Sequence, residues 1–494
     1  MNTNILNWYP FKEKATILYL TVDEEKNIEE YLSNVSAELK TIKFYNSEYK
    51  DNIEKLEIES DKYDYVILLG ILEYASEIIK EKNSYEKLLC YAKQSLKEDG
   101  IALLAIDNRM GVKYLVGNKS EHCEKIYDSV KNVYKTGKMF SLNEINKIIE
   151  KVGFDYRKNY YPLPNYKYPN VIYSDELIPE INDSKINYNF IYDEGSLVLQ
   201  SETILLKQFI RIGNFKEYTN SYLIELSNKK INNDIKYVSY NNMRKDEYSL
   251  ILKMKNEIVE KTARYPIANK HISAIKENNK KLKELGFQIA EEDIEEEIIK
   301  SKFVEKPILD SYIVKLIKQG NILEVYNIIE TWYSYITEKL KIDENGNIKD
   351  GYIDLVFENT FYDENQNSFI FFDQEWYMEN IPLDFILYRA IQNLYAHNKS
   401  INNYLQKEEI MNKYNLNNRP EFEELERVLQ EKVVDEEKRK FYSEQYKYLI
   451  SSEEIIKIIS DLKKVNKDNE FLVGELNRIK QMSVFDFIKN KLKR

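Results

Sequence analysis

From Ala15 to about Val152 the chain alternates short apolar runs with longer amphipathic stretches, and this restricts its first part to an α/β layer fold. The apolar runs at residues 16–20, 41–45, 65–69 and 101–106 predict strands, with helices between them at residues 26–39 and 85–96. The second helix ends in a Lys-Glu-Asp-Gly stop at residues 97–100. Strand, helix, strand repetition implies a parallel sheet with right-handed crossovers. Residues 160–179 then hold four prolines and many aromatics, too broken for a helix and too apolar for a flexible linker. They predict an ordered extended arm.

Past residue 213 the pattern changes to strands with turns at residues 237–240, 248–254 and 257–262, then a helix at 268–285. An acidic run at residues 291–297 precedes a strand through Phe303 and Val304, and the remainder is mainly helical. Beyond Glu421 the chain is charged, and Ile455, Ile456, Ile459, Leu462, Val465, Leu472, Leu476 and Ile479 predict a long helix. This helix is a candidate coiled coil and a route to a homo-oligomer, with heptads too irregular to set the oligomer. The organisation expected is α/β followed by α+β: a parallel-sheet domain over residues 1–180, a linker over 181–213, a second domain over 214–420 and a helical tail over 421–494. No repeat with a period of 20 to 50 residues is evident.

Composition bounds the function. The 494 residues are enough for several domains, each with its own core. With 72 basic against 83 acidic residues the net charge is −11, which argues against nonspecific binding to nucleic acid. Cys90 and Cys123 make neither a disulfide framework nor a thiolate zinc site. The N-terminal residues carry no secretory signal pattern and no run of about eighteen apolar residues appears, so a cytoplasmic location is expected. Residues 478–494 form a basic amphipathic stretch that would suit peripheral contact with an anionic membrane, or equally the packed end of a helical tail. His122, His271 and His397 lie far apart and read as structural.

The chemistry concentrates in residues 351–376, GYIDLVFENTFYDENQNSFIFFDQEW. Asp354 and Asn359 form D-x-x-x-x-N, and Asp373 follows fourteen residues later at the end of an apolar run. Phosphoryl transfer needs a carboxylate to orient a hydroxyl, ligands for magnesium, a cation on the nucleotide phosphates and a carboxylate to hold that cation. In this reading Asp354 orients the hydroxyl, while Asn359 and Asp373 bind the metal. Lys261, in a predicted strand, meets phosphate, and Glu277, sixteen residues on in a predicted helix, pairs with it. Residues 303–305, ending at Glu305, would hold adenine at a hinge. Asx turns and surface charge explain the same residues without chemistry. The turn before Lys261, residues 240–247, has no glycine, so backbone amides, Arg244 or Lys245 would have to meet the phosphates.

Residues 214–400 resemble the kinase-like fold of sugar and small-molecule phosphotransferases, on the segments IDLVFEN and FFDQEW. The N-terminal region resembles a class I S-adenosylmethionine-dependent methyltransferase, on residues 63–75 and 96–117. That succession is similar to the bifunctional kinase and methyltransferase family that terminates bacterial O-antigen chains. The resemblance implies a Rossmann-type sheet, a bilobal kinase-like domain and a coiled-coil tail. It also implies ATP and magnesium as cofactors, a surface-glycan or lipid-linked saccharide acceptor, and glycosyltransferases of the same pathway as partners.

The first strand runs into TVDEEKNIEE where that methyltransferase family has a glycine-rich turn, and the acid expected after the second strand is represented only by Glu48. A degenerate methyltransferase fold is therefore expected, with Glu73 and Asp107 as remnants of a site. Two alternatives stand beside the kinase reading. One is a working methyltransferase using S-adenosylmethionine with an attached pseudokinase; the other is a noncatalytic scaffold for glycosyltransferases.

Overall fold

Strands β1 (Ala15–Thr21), β2 (Ser36–Lys43), β3 (Tyr63–Leu69) and β4 (Leu96–Asp107) run parallel in the order β2-β1-β3-β4. Nearly all of β1 and β3 is buried, as parallel strands covered on both faces must be. The computed structural model describes residues 2–22, 24–44, 59–181, 183–188, 192, 196–295, 297–444 and 452–481. Helices α1 (Lys26–Val35), α2 (Ser84–Ser95) and α3 (Leu142–Val152) accompany these strands. The start of α3 is set by a capping box between Ser141 and Glu144, and its end by Gly153 at φ 78°.

Two elements depart from expectation. β2 takes Ser36 to Leu39 from the predicted helix, and β4 runs through the predicted stop at residues 97–100. In both cases pairing to a neighbouring strand overrides local propensity, through Ala15↔Ser36 and Tyr63↔Leu96.

The proline-rich arm supplies β5 (Tyr156–Leu163) and β6 (Val171–Ser174). Between β4 and β5 lies β7 (Ser221–Ser227), antiparallel to both and buried along its whole length. The first unit therefore extends to Ser227, past the boundary expected at residue 214. A strand buried along its whole length needs backbone partners on both edges, and β4 and β5 supply them.

The second unit opens with β8 (Tyr237–Tyr240), β9 (Leu250–Met254), β10 (Ile258–Ala263), β11 (Glu291–Glu295) and β12 (Ile298–Lys302). These run antiparallel in the order β8-β9-β10-β12-β11, with helix α4 (Asn269–Glu284) between β10 and β11 in sequence. β6 also pairs with β8, through Val171↔Ser239 and Ile172↔Val238. The two halves thus share one 12-stranded sheet.

Below it, α5 (Leu309–Lys318) and α6 (Ile322–Lys339) pack with β13 (Asn347–Tyr352), β14 (Thr360–Asp363), β15 (Ser368–Phe371), β16 (Tyr377–Pro382), α7 (Asp384–His397) and α8 (Pro420–Val433). Their core holds Trp332, Leu355, Phe357, Phe371 and Ile391. Phe422, Leu429 and Val433 of α8 belong to the same core, so this lobe passes the expected end at residue 420. The long helix α9 (Ser452–Gln481) follows. Among the described residues no helix is long and apolar enough to cross a membrane. Most of the basic stretch, residues 482–494, lies outside the described residues.

Candidate active site

Lys261 projects from β10, and its ammonium meets two carboxylates, Asp373 in a close ion pair and Glu291 at 3.4 Å. Glu291 opens β11, is 4% exposed, and its Oε1 also accepts the Asp373 N–H at 2.7 Å. One carboxylate thereby ties the lysine to the backbone of the loop after β15. Asp373 sits at φ 59°, a left-handed conformation uncommon for a non-glycine residue. The contact from Glu291 holds that conformation in place. Asp373 and Glu291 both raise the Lys261 pKa against the effect of burial, so the lysine is a fixed cation.

Asp354 follows β13 and is 5% exposed. Its Oδ2 accepts the N–H groups of Glu375 and Trp376 at 2.9 and 2.8 Å, and the Arg389 guanidinium approaches Oδ1 at 3.6 Å. Burial pushes its pKa up to about 8, opposed by Arg389. The Asn359 amide nitrogen faces the carbonyls of Asp354 and Asp373 at 3.3 and 3.4 Å, which ties both aspartates to one loop. Burial likewise lifts Asp373 to about 6 while Lys261 draws it down.

The β8–β9 turn carries no glycine, yet it supplies charge. Arg244 forms an ion pair with Glu375 and lies 5.3 Å over the Trp376 ring. The guanidinium holds Glu375 well below the usual carboxylate range, against the effect of burial. Glu375 also meets His271 Nε2 at 3.3 Å, and the His271 ring stacks on Trp376 at 4.7 Å. The turn is secured from below, where Lys245 N–H donates to the Val433 carbonyl at 3.0 Å and Lys438 bonds Asp246 at 2.6 Å.

Of the residues singled out in the sequence, Lys261, Asp354, Asn359 and Asp373 come together. Glu277 does not join them: it is exposed on α4 and pairs with Lys281 at 3.6 Å. Its expected role falls to Glu291, which the sequence hides in a run of acids. Glu305 is also exposed, beyond the end of β12, because the strand expected through Phe303 and Val304 stops at Lys302. The sequence likewise gave no signal for Glu375 or Arg389, whose partners lie in distant elements.

No group of three or more His, Cys, Asp or Glu among the described residues could hold a metal by itself. Asp373 and Asn359 are the two side chains of this loop that could ligate a magnesium ion whose shell substrate phosphates complete. The Asp373 side chain is one-third exposed and therefore reachable.

At the carboxyl ends of β3 and β4 the first unit holds a second buried polar cluster. Lys113 bonds both oxygens of Asp107 at 2.9 Å, and Tyr114 Oη donates to Asp107 at 3.1 Å. Glu73 Oε1 accepts the Asp107 N–H at 3.0 Å. Gly70, at φ 71°, ends β3, and a Cβ there would stand 2.5 Å from Tyr166 Oη. The protein's own tyrosine fills the space beside that glycine. Glu48 lies outside the described residues.

No protein-family model matches the chain, and no curated protein matches it. Among solved structures it is similar to an S-adenosylmethionine-dependent methyltransferase from Archaeoglobus fulgidus, at 10% identity and a TM-score of 0.26. That match covers 44% of this chain and 89% of the other. It is also similar to a possible histamine N-methyltransferase from Thermotoga maritima, at 13% identity and a TM-score of 0.24, over 46% of this chain and 87% of that one. A third match, a methyltransferase from Mesorhizobium loti, has 8% identity and a TM-score of 0.24, over 45% of this chain and 94% of the other.

Proposed function

We propose that this chain is an ATP- and magnesium-dependent phosphotransferase acting on a hydroxyl of a surface glycan or its lipid-linked precursor. The observation that carries the reading is the meeting of Lys261, Glu291, Asp354, Asn359 and Asp373 between an antiparallel sheet and a helical lobe. Lys261, held by Glu291, binds nucleotide phosphate in exchange for its pairing with Asp373. Asp354 orients the acceptor hydroxyl and takes its proton. Asp373 and Asn359 hold magnesium, which when bound neutralises charge on the phosphates. Arg244 supplies the positive charge that glycine-loop amides give elsewhere, and the glycan acceptor follows from the resemblance alone.

The test is calorimetric titration with ATP and magnesium, together with ADP release in the presence of saccharide acceptors. Asp373→Ala is expected to lower turnover at least ~100-fold. Wild-type protein that neither binds nor turns over nucleotide would rule the reading out.

A second reading is a methyltransferase with a noncatalytic kinase-like half. It is favoured by the parallel order β2-β1-β3-β4 with buried carboxyl groups at the strand ends. Tyr166 beside Gly70 and the acidic turn after β1 weigh against it. Binding of S-adenosylmethionine with no binding of ATP would select it.

A further inference from the structure

Lys185 lies in the stretch between the two expected domains, yet its backbone is built into the first unit. Asp183 accepts the Lys185 N–H at 2.8 Å and the hydroxyl of Tyr173, on β6, at 2.6 Å. Ile186 is fully buried in the first unit's core, and the Tyr188 N–H donates to Thr203 Oγ1 at 3.0 Å. The chain is thus fixed on both sides of Lys185. β6 also pairs with β8, and the turn after β8 carries Arg244, so Lys185 and Arg244 hang from one frame.

The Lys185 side chain, only partly exposed, faces the second unit. Arg244, Asp373 and Glu375 act on its ammonium from the sheet side of the cleft. The same ammonium acts on His397, at the end of α7 in the helical lobe. A charge that meets groups of both lobes stands at the cleft between them. Each carboxylate that acts on it is already engaged: Asp373 with Lys261, Glu375 with Arg244 and His271, and Asp183 with Tyr173. Around His397, Glu358 is held by the histidine at 2.8 Å and Asp310 by Asn398 at 3.2 Å. Among the described residues Lys185 forms no ion pair. Burial lowers its pKa and Arg244 adds to that, while Asp183, Asp373 and Glu375 draw it back. A cation withdrawn from water without a close counterion is costly, and an anionic ligand removes that cost.

We propose, building on the phosphotransferase reading, that Lys185 is a phosphate-binding residue through which the first unit completes the candidate site, its ligand being the phosphate chain of the nucleotide. With Arg244 and Lys261 it makes three cations around Asp373, the arrangement a chain of phosphates requires. The first unit then supplies charge that the β8–β9 turn, lacking glycine, cannot replace with backbone amides.

Calorimetric titration of the full chain in magnesium, with ATP, adenosine and tripolyphosphate in turn, tests this. Lys185→Met should weaken ATP binding at least about tenfold, the loss of one charge-assisted hydrogen bond, and leave adenosine binding unchanged. Lys185→Arg should recover most of the affinity, and neither variant should lower the melting temperature of the ligand-free chain. Equal or tighter ATP binding by Lys185→Met would overturn the assignment while the phosphotransferase reading stood. A lowered melting temperature with adenosine binding weakened in parallel would mark a structural role and overturn it too. Wild type that binds tripolyphosphate through Lys185 but does not bind ATP would keep the phosphate site and remove the nucleotide. Wild type that binds neither would overturn both.

Discussion

At the residue scale, the candidate site is decided by which carboxylate reaches Lys261. Glu291 Oε1 contacts both the lysine and the Asp373 N–H, whereas Glu277 points to solvent. Glu291→Gln should therefore lower ATP turnover about tenfold or more, a loss of ~1.4 kcal/mol of transition-state stabilisation, and Glu277→Gln should leave it unchanged. Steady-state ADP release from the two variants makes the comparison, and equal losses would break the assignment. Glu73 gives a separate test in the first unit. Burial pushes it up to about 8, against about 4.3 for an unfolded chain. Between those values the folded chain holds a proton that the unfolded chain lacks. Its contribution to stability is present in full below about 4.3 and is lost as pH rises toward 8. Glu73→Gln keeps an acceptor for the Asp107 N–H and cannot titrate. In thermal melts its advantage over wild type should grow from pH 5 to pH 9; a constant difference would refute the placement.

At the element scale, local signals set helix α3 and long-range pairing set β2 and β4. Ser141 and Glu144 close the N-terminus of α3, so Ser141→Ala should cost about 1 kcal/mol in urea unfolding at an unchanged slope. The strands were harder to bound from sequence. Residues 97–100 contain a helix-stop pattern, yet they extend β4 because Tyr63↔Leu96 and the neighbouring pairs give their backbone groups partners. The loop that carries Asp354, Asn359 and Asp373 lay between these cases. The spacing of Asp354, Asn359 and Asp373 is local and was legible, since fourteen residues of hairpin return the chain to its start. The β14–β15 hairpin that does so pairs Thr360–Asp363 with Ser368–Phe371, with a single turn of 3-10 helix before it. Glu291 was not legible, because nothing in an acidic run marks which member will face a lysine thirty residues earlier.

At the scale of the whole molecule, the halves are joined more closely than a linker between domains suggests. β6 pairs with β8, and the N-terminal segment adds polar contacts to the β8–β9 turn: Asn4 Nδ2 to Asn242 at 2.9 Å, and Tyr240 Oη to the Asn4 carbonyl at 2.8 Å. Arg264 of β10's continuation reaches Asn2 at 3.1 Å. Differential calorimetry should accordingly show the two units unfolding in one transition. Two separated transitions would mean that the shared sheet does not couple them. The sequence by itself determined the βαβ character of the first unit, the spacing of Asp354, Asn359 and Asp373 and the presence of a long C-terminal helix, because each depends on residues near one another along the chain. Only the tertiary structure decided that β7 belongs to the first sheet, that one sheet spans both units, and that Glu291 and Arg244 complete the cluster around Lys261. Those outcomes depend on contacts between segments far apart in sequence, where burial and backbone pairing choose among residues that look alike in one dimension.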